Sequence, residues 1–215
     1  MSATSTAAQL VRHVGKLHPD RTVLLLCDMQ ERFRPVIWRM ETVINTCRYM
    51  TSVAKALDIP IVATQQYTKV FGPTVPDCFA TPDEDLAALP IFEKKLFSML
   101  IPEVQTKLFE EAPYKDRDTY ILTGIETHVC VQQTCLDLLE RGKTVHIIAD
   151  GVSSQQPIDR TFALQRMQQA GGFVTTAQSA AYMLMQSADH PNFKTVSKLT
   201  VEHMKLPNEF NEAEK

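Results

Sequence analysis

Val23-Leu-Leu-Leu-Cys27 is an unbroken apolar run of strand length, and it sets the fold class of the whole chain. A strand that faces water on one side alternates apolar and polar residues, whereas a strand covered on both faces of a parallel sheet does not. Further short runs of this kind follow, each separated from the next by a segment long enough for a helix. The predicted strands span residues 23–27, 59–63, 90–94, 119–123, 145–149 and 173–176.

Helical periodicity fills most of the segments between these strands. We predict helices at about 38–57, 102–110, 129–140 and 157–170, with Gly142 and Gly171 ending two of them. The tail from about residue 183 should begin as a helix and then fray. The pattern predicts a single-domain α/β fold: three α/β/α layers around a six-stranded, parallel, doubly wound (Rossmann-like) sheet. We place the domain at residues 21–205, between flexible tails at 1–20 and 206–215.

Composition narrows the function classes. The chain has 215 residues and a formal net charge of −3, and no run of Lys or Arg suggests a nucleic-acid partner. No window approaches the ~18 consecutive apolar residues of a membrane span. Five cysteines without a CxxC motif are typical of reduced thiols in an intracellular protein. We expect a cytoplasmic location; the acid-free stretch before Asp20 keeps a mitochondrial one open.

One segment lacks any clear periodicity. Between Gln65 and Pro90 the chain carries three further prolines and Gly72. An irregular loop of about 25 residues inside a compact domain is usually functional, such as a lid or an interface arm. A decorative insertion is the alternative.

Chemically able residues follow several predicted strands. Ligands of an open α/β sheet bind outside the carboxyl ends of its strands. Asp28, Gln65, Lys94 and Cys130 come at or just after those ends. A carboxylate, an amine and a thiol would thus meet at one rim as proton acceptor, cation and nucleophile. At the start of a helix, Cys130 gains from backbone amides that stabilise a thiolate. Each residue also has a plain interpretation: a turn Asp, a solvated Lys, a small buried Cys.

Other chemistries find less support. His128 stands two residues from Cys130, and side chains so spaced on a helix do not face each other. No GxGxxG or Walker motif is present. The exit of the second strand, Ala63-Thr-Gln-Gln-Tyr67, lacks metal-ligating His and Asp. The other four cysteines are interpreted as structural: strand alternation should turn Cys27 away from the face that Asp28 uses.

Four motifs, taken in order, resemble those of a known family. They are Leu26-Cys-Asp-Met-Gln30, Lys94-Lys-Leu-Phe-Ser98, Gly124-Ile-Glu-Thr-His-Val-Cys-Val-Gln-Gln-Thr134 and Asp150-Gly-Val-Ser-Ser154. Together they resemble the isochorismatase-like cysteine hydrolases, and most closely the isochorismatase domain-containing branch. The resemblance runs from about residue 20 to 205.

The resemblance implies a catalytic triad of Asp28, Lys94 and Cys130. Lys94 is preferred to Lys95 because the family's lysine stands four residues before a serine, here Ser98. It also implies a cis peptide between Ile125 and Glu126, and an oxyanion hole made by the backbone amides of Glu126 and Cys130. Nicotinamidases of the family hold a metal through Asp and His after the second strand, which this chain lacks, so we expect no metal and no cofactor.

These observations predict a metal-independent cysteine hydrolase that cleaves an amide-type C–N bond of a small molecule through a thioester. Phe33 and Gln65, near the same rim, are candidate substrate contacts. By family analogy we expect a homo-oligomer. Two alternatives stay open: a catalytically weak binding or scaffold protein of the same fold, and a redox protein in which the Cys130 thiol is oxidised. No resolving cysteine for the redox alternative is evident in the sequence.

Overall fold

The computed structural model describes residues 14–211. Six strands form one sheet in the order β3-β2-β1-β4-β5-β6, and every neighbouring pair is parallel. The predicted fold class and strand count are therefore confirmed. The strands are β1 Thr22–Cys27, β2 Ile61–Gln66, β3 Ile91–Lys94, β4 Thr119–Ile125, β5 Thr144–Ser153 and β6 Phe173–Thr175.

Helices cover both faces of the sheet. One face packs against α4, α5 and α6, and the other against α1, α7 and α8. The helices are α1 Met40–Ala56, α2 Thr68–Phe71, α3 Pro82–Ala88, α4 Pro102–Phe109, α5 Gln132–Glu140, α6 Pro157–Gln169, α7 Ala177–Met185 and α8 Phe193–Met204. A π-helical turn, Thr127–Val131, joins β4 to α5.

Strand β1 shows how the faces are assigned. All six of its residues are buried. Val23, Leu25 and Cys27 belong to the core beside α4, α5 and α6, whereas Leu24 and Leu26 face the other helical layer. Because both faces are apolar, the strand carries no alternation in its sequence. Thr64 on β2 and Lys94 on β3 lie on the face of Cys27, which determines where the site can form.

Two strand ends differ from the prediction. Strand β2 runs on through Gln65 and Gln66, so Gln65 lies in the strand and not beyond it. Strand β5 continues through Asp150 to Ser153, although Asp is a common end signal. The Asp150 carboxylate accepts a hydrogen bond at 2.9 Å from the amide of Ala177, the first residue of α7. An acid at a helix N-terminus is stabilised there, which accounts for an aspartate inside a buried strand.

Other differences lie in the loops and tails. The irregular segment contains α2, α3 and a 3-10 turn at Pro76–Cys78, and α7 begins six residues before the predicted helical tail. Both expected tails pack in part against the domain. Leu17 is 1% exposed, and the Phe210 ring lies 4.1 Å from the guanidinium of Arg160. The rest of the predicted tails, 1–13 and 212–215, lies outside the described residues.

Candidate active site

Asp28 follows β1 directly and is 1% exposed. Its φ is +49°, the left-handed region that non-glycine residues seldom adopt. The carboxylate accepts a hydrogen bond from Thr64 Oγ1 at Oδ1 and another from Lys94 Nζ at Oδ2, both at 2.7 Å. Its own amide donates to the Thr64 carbonyl at 3.2 Å. A backbone turned in this way holds the carboxylate over the carboxyl ends of β1, β2 and β3.

The prediction for Cys27 is wrong. Its thiol lies 3.7 Å from Asp28 Oδ2 and shares a side-chain hydrogen bond with Cys130. Strand alternation would turn neighbouring side chains to opposite faces, but the left-handed turn at Asp28 breaks that alternation. Burial, followed by the hydrogen bond to Cys130, raises the pKa of Cys27 well above the ordinary thiol value. The thiol of Cys27 is therefore a neutral hydrogen-bond donor at neutral pH.

Lys94 is the cation of the site. Its side chain is fully buried, and Nζ donates to Asp28 Oδ2 and Gln66 Oε1, each at 2.7 Å. The carbonyls of Leu96 and Phe97 lie at 3.1 and 2.9 Å from the same nitrogen. Burial lowers the pKa of Lys94, but its electrostatic interactions with Cys27, Asp28 and Cys130 and its hydrogen bond to Asp28 outweigh burial and raise the pKa above its ordinary value. Lys94 thus remains an ammonium at neutral pH.

Two glutamines that the sequence did not single out support this cation, Gln66 by direct contact and Gln30 through the backbone of Gln66. Gln66 accepts from Lys94 and donates from Nε2 to the Lys95 carbonyl at 2.9 Å. Gln30 is fully buried, accepts from the Gln66 amide at 2.7 Å and donates to the Gln66 carbonyl at 3.0 Å. Gln30 closes the first of the four motifs, and a polar side chain there, two residues after Asp28, was the available signal.

Cys130 lies in the π-helical turn and is 6% exposed. Such turns occur often at functional sites. The Cys130 carbonyl accepts from Thr134 Oγ1 at 2.7 Å, and that oxygen in turn accepts from the Met99 amide at 2.8 Å. The segment that follows Lys94 is thereby tied to the helix that follows Cys130. Lys94 binds Asp28 in an ion pair and interacts electrostatically with Cys130 and also with Cys27, so these four residues form one site.

Gly124 lets β4 approach β1 closely at this point. Its φ is +122°, and a Cβ built there would lie 2.1 Å from the Cys27 carbonyl oxygen. A larger residue would push the two strand ends apart. The peptide between Ile125 and Glu126 is cis, as the resemblance implied.

Glu126 stands at the start of the π-helical turn. Its carboxylate accepts from the Gln155 amide at 3.1 Å and from Gln155 Nε2 at 2.7 Å. His128 Nδ1 lies 3.1 Å from Ser154 Oγ and does not reach Cys130 in any hydrogen bond of the described residues. The turn is thus fastened to the segment that follows β5, where the fourth motif lies.

The two candidate substrate contacts, Phe33 and Gln65, both touch the irregular segment. Gln65 donates to Thr74 Oγ1 at 2.8 Å and accepts from Thr68 Oγ1 at 3.2 Å, on the face of β2 opposite Gln66. Phe33 stacks on Phe71, with ring centroids 4.7 Å apart. Both therefore contact the irregular segment, and the structure does not bring either of them into contact with Lys94 or Cys130.

Residues 14–211 contain no group of three or more His, Cys, Asp or Glu side chains placed to hold a metal ion. Within the same range, none of the helices has both the length and the apolar character needed to cross a bilayer.

Comparison with known proteins agrees with the fold and the motifs. The family sequence model for the isochorismatase domain matches residues 22–179. The chain is 43% identical to the secreted isochorismatase effector Isc1 of Phytophthora sojae over 98% of each chain, and 42% identical to isochorismatase domain-containing protein 2 of Xenopus laevis over 89% of each. The solved structure of the MAR1 ribonuclease of Caenorhabditis elegans superposes with a TM-score of 0.82 and 38% identity, covering 93% of this chain and 99% of that one. The chain belongs to the isochorismatase family.

Proposed function

We propose that the chain is a metal-independent cysteine hydrolase that cleaves an amide-type C–N bond of a small molecule through Asp28, Lys94 and Cys130. Membership of the isochorismatase family supports hydrolase chemistry in general. The observation that carries the finer proposal is the fully buried Lys94 ammonium, which binds Asp28 and interacts electrostatically with Cys130. A buried cation beside a thiol favours the thiolate, which is the nucleophilic form.

In the first half of the reaction, Asp28 takes the proton of Cys130 and Lys94 stabilises the resulting charge. The thiolate attacks the carbonyl carbon, and the C=O electron pair moves to the oxygen. The amides of Glu126 and Cys130 bind that oxyanion. When the tetrahedral intermediate collapses, the C–N bond breaks and the amine leaves with the proton that Asp28 had taken. A thioester on Cys130 remains.

In the second half, Asp28 removes a proton from a water molecule, which attacks the thioester carbonyl. The C–S bond breaks, the carboxylic acid leaves, and the thiolate of Cys130 is restored beside Lys94. The net reaction consumes one water and converts one amide into an acid and an amine. Gln30, Gln66 and Thr64 touch none of the reacting atoms; they are positioning residues for Lys94 and Asp28.

The site favours small substrates, because Cys130 is only 6% exposed. Phe33 and Gln65 contact the irregular segment, so we propose that they act on the substrate indirectly, by positioning that segment. The names of two relatives point to competing substrates, isochorismate and RNA. Isochorismate would need vinyl-ether cleavage, for which a thiol nucleophile has no evident use. RNA would need an open basic groove, whereas the chain has a net charge of −3.

The test is a panel of small amides assayed with the wild type and with Cys130→Ala and Asp28→Asn. Isochorismate and a single-stranded RNA serve as competing substrates. We expect turnover of at least one amide that both variants lose, with a mass shift on the Cys130 peptide from the trapped thioester. Turnover of isochorismate or RNA that survives Cys130→Ala would overturn the proposal. Tight binding of an amide without turnover would favour the scaffold alternative.

We also propose that the protein is a homo-oligomer. Leu96 and Phe97, whose carbonyls hold Lys94, are 52% and 51% exposed. Large apolar side chains side by side on a surface are typical of an interface. Light scattering after gel filtration should give a mass above the 24.3 kDa of one chain. Leu96→Ser with Phe97→Ser should lower that mass, and a monomer already in the wild type would contradict the proposal.

We place the protein in the cytoplasm, with mitochondria as the alternative. All five cysteines are free thiols, as is usual for reducing compartments. Fluorescence imaging of the full-length chain, with and without its first thirteen residues, distinguishes the two locations. A mitochondrial signal that depends on those residues would replace the first choice.

A further inference from the structure

Two thiols meet at the candidate active site, where the sequence predicted one. Cys27 and Cys130 belong to one core cluster and share a hydrogen bond, although 103 positions separate them in the chain. Cys27 is fully buried, whereas Cys130 is 6% exposed. A small oxidant can therefore reach Cys130 first, and Cys27 only through it.

The backbone brings the segments that carry the two thiols side by side. Cys27 pairs with Gly124 in the sheet register, and the turn that carries Cys130 begins three residues after Gly124, at Thr127. The close approach at Gly124 holds the end of β1 against the start of that turn. Lys94 lies beside both thiols, and Asp28 Oδ2 lies 3.7 Å from the Cys27 sulfur. The Lys94 cation and the Asp28 proton acceptor therefore both lie close to the two thiols.

We propose that Cys27 and Cys130 form a reversible disulfide when the protein meets a small hydroperoxide, with Cys130 as the peroxide-reactive thiol and Cys27 as the resolving thiol. The proposal answers the redox alternative of the sequence analysis, which lacked a second cysteine. It does not depend on the proposed hydrolysis, although it would stop hydrolysis by removing the nucleophile. Its ligand class is a hydroperoxide, ROOH, small enough to enter the site.

The chemistry has two steps. The Cys130 thiolate attacks the peroxide, the O–O bond breaks, and a sulfenic acid forms while ROH leaves with one proton. The Cys27 thiol then passes its proton to Asp28 and attacks the Cys130 sulfur. The S–S bond forms, the S–O bond breaks, and the departing hydroxide takes the proton from Asp28 as water. In sum, two thiols and ROOH give a disulfide, ROH and water; a dithiol reductant reverses the change.

The chain offers two internal controls. Cys47 and Cys78 share a hydrogen bond inside the other apolar layer, with no lysine among the charges that act on Cys78. Cys135 lies in the same cluster as Cys27 and Cys130, and burial raises the pKa of its thiol to about 12. If contact or burial alone governed oxidation, these thiols would react as readily. We expect the disulfide at the Cys27/Cys130 pair because the buried Lys94 ammonium lies beside that pair.

The test treats the full-length reduced protein with a few equivalents of hydrogen peroxide, blocks free thiols and maps the tryptic peptides without reduction. Trypsin leaves Cys130 and Cys135 together on peptide 118–141, so Cys135→Ala is the background in which the link is assigned. We expect a link between peptides 22–32 and 118–141 that dithiothreitol removes. In Cys27→Ala the link cannot form, and Cys130 should go on to the sulfinic acid at least tenfold faster than in the protein that keeps Cys27.

Several results would overturn the proposal. They are a wild-type map without the 22–32 to 118–141 link, sulfinic acid at Cys130 at the same rate with and without Cys27, or a Cys47–Cys78 link that forms first. The map of Cys135→Ala decides the matter even if Cys27→Ala does not fold. Hydrolysis without the link would refute this inference alone. The link without any hydrolysis would refute the proposed function alone.

Discussion

The two buried thiol pairs of the chain are alike in burial and differ in the charge around them. Burial comes first among the causes that raise the pKa of both Cys27 and Cys78, and each thiol shares a hydrogen bond with a second cysteine. The Cys27/Cys130 pair lies beside the buried ion pair of Asp28 and Lys94. The charges that act on Cys78 are those of Arg34 and Asp77, which bind each other in a half-exposed surface cluster. Burial and thiol pairing are thus common to the two sites, and the buried ammonium is what distinguishes them.

The largest expected effect comes from removing one thiol of each pair. Cys130→Ala should lower kcat/KM for the amide substrate by about 10⁴-fold or more, because the nucleophile is lost. Cys47→Ala should leave kcat/KM within about twofold, since it only opens a small cavity at the other pair. Steady-state assays of both variants, with circular dichroism as the check on folding, make the comparison. Equal losses in the two variants would show that the first pair has no special role.

Removing the Lys94 cation should make the Cys27/Cys130 pair, the first pair, resemble the Cys47/Cys78 pair, the second pair. Lys94→Met should lower kcat/KM by about 10²–10³-fold and destabilise the fold by about 3–5 kcal/mol, because Asp28 is left as a buried, unpaired charge. Lys95→Met, at the adjacent exposed position, is the matched control. It should leave both kcat/KM and the free energy of unfolding close to the wild-type values. Denaturant titration and turnover are the measurements. A stable, active Lys94→Met protein would remove the basis of the comparison.

The ion pair between Asp28 and Lys94 predicts how the stability of the protein depends on pH. The pKa of Lys94 is raised on folding, so its ion pair stabilises the protein fully below the unfolded lysine value of about 10.4 and less as pH rises through the folded value. The free energy of unfolding should therefore fall on going from pH 9 to pH 11. Lys94→Met should show a smaller fall than the wild type, and parallel curves for the two proteins would contradict the assignment.

A backbone change should disturb the first pair without altering either thiol. Gly124→Ala places a Cβ against the Cys27 carbonyl and should destabilise the fold by about 3 kcal/mol or more. Gly142→Ala also has a positive φ but meets no atom within 4 Å, so we expect a cost of about 1–2 kcal/mol. Urea unfolding of the two variants gives the difference directly. Equal costs would mean that β1 and β4 are not in close contact at Gly124.

The smallest expected effect concerns one hydrogen bond at each pair. Thr64→Val removes the donor to Asp28 Oδ1 and should lower kcat/KM about tenfold, which corresponds to about 1.4 kcal/mol. Thr51→Val removes the donor to the Cys78 carbonyl and should leave kcat/KM unchanged. The pair of assays is informative only if both variants fold, which thermal melts establish. A tenfold loss in Thr51→Val as well would assign the effect to packing.

The sheet was predictable from the sequence because strands buried on both faces carry a strong and local signal. The runs at 23–27 and 119–123 fall inside β1 and β4. Strand ends were harder, since they depend on distant partners. Asp150 stays inside β5 because α7 provides an amide for its carboxylate, and no local pattern reveals that partner. The helices of the irregular segment are short, and α2 spans only four residues, too few for a periodicity.

Some residues of the candidate site could also be predicted from the sequence, and others could not. Asp28, Lys94 and Cys130 could be selected because parallel strands bring their carboxyl ends to one rim, and the structure places them together. The place of Cys27 could not be predicted, because it depends on a left-handed residue that is not a glycine. Gln66 was passed over in favour of Gln65, because the end of β2 lies three residues later than predicted and adjacent side chains alternate in direction.

The most direct test of the central claim, that Lys94 sets the first pair apart, is the rate of alkylation of each cysteine by iodoacetamide at pH 7. Peptide mass spectrometry resolves the rates in the wild type, Asp28→Asn and Lys94→Met. We expect Cys130 to react at least tenfold faster than Cys47 and Cys78, and Lys94→Met to abolish most of that advantage in a protein that is still folded. Equal rates at both pairs in the wild type, or a Cys130 rate that Lys94→Met leaves unchanged, would contradict the assembled Asp28–Lys94–Cys130 site.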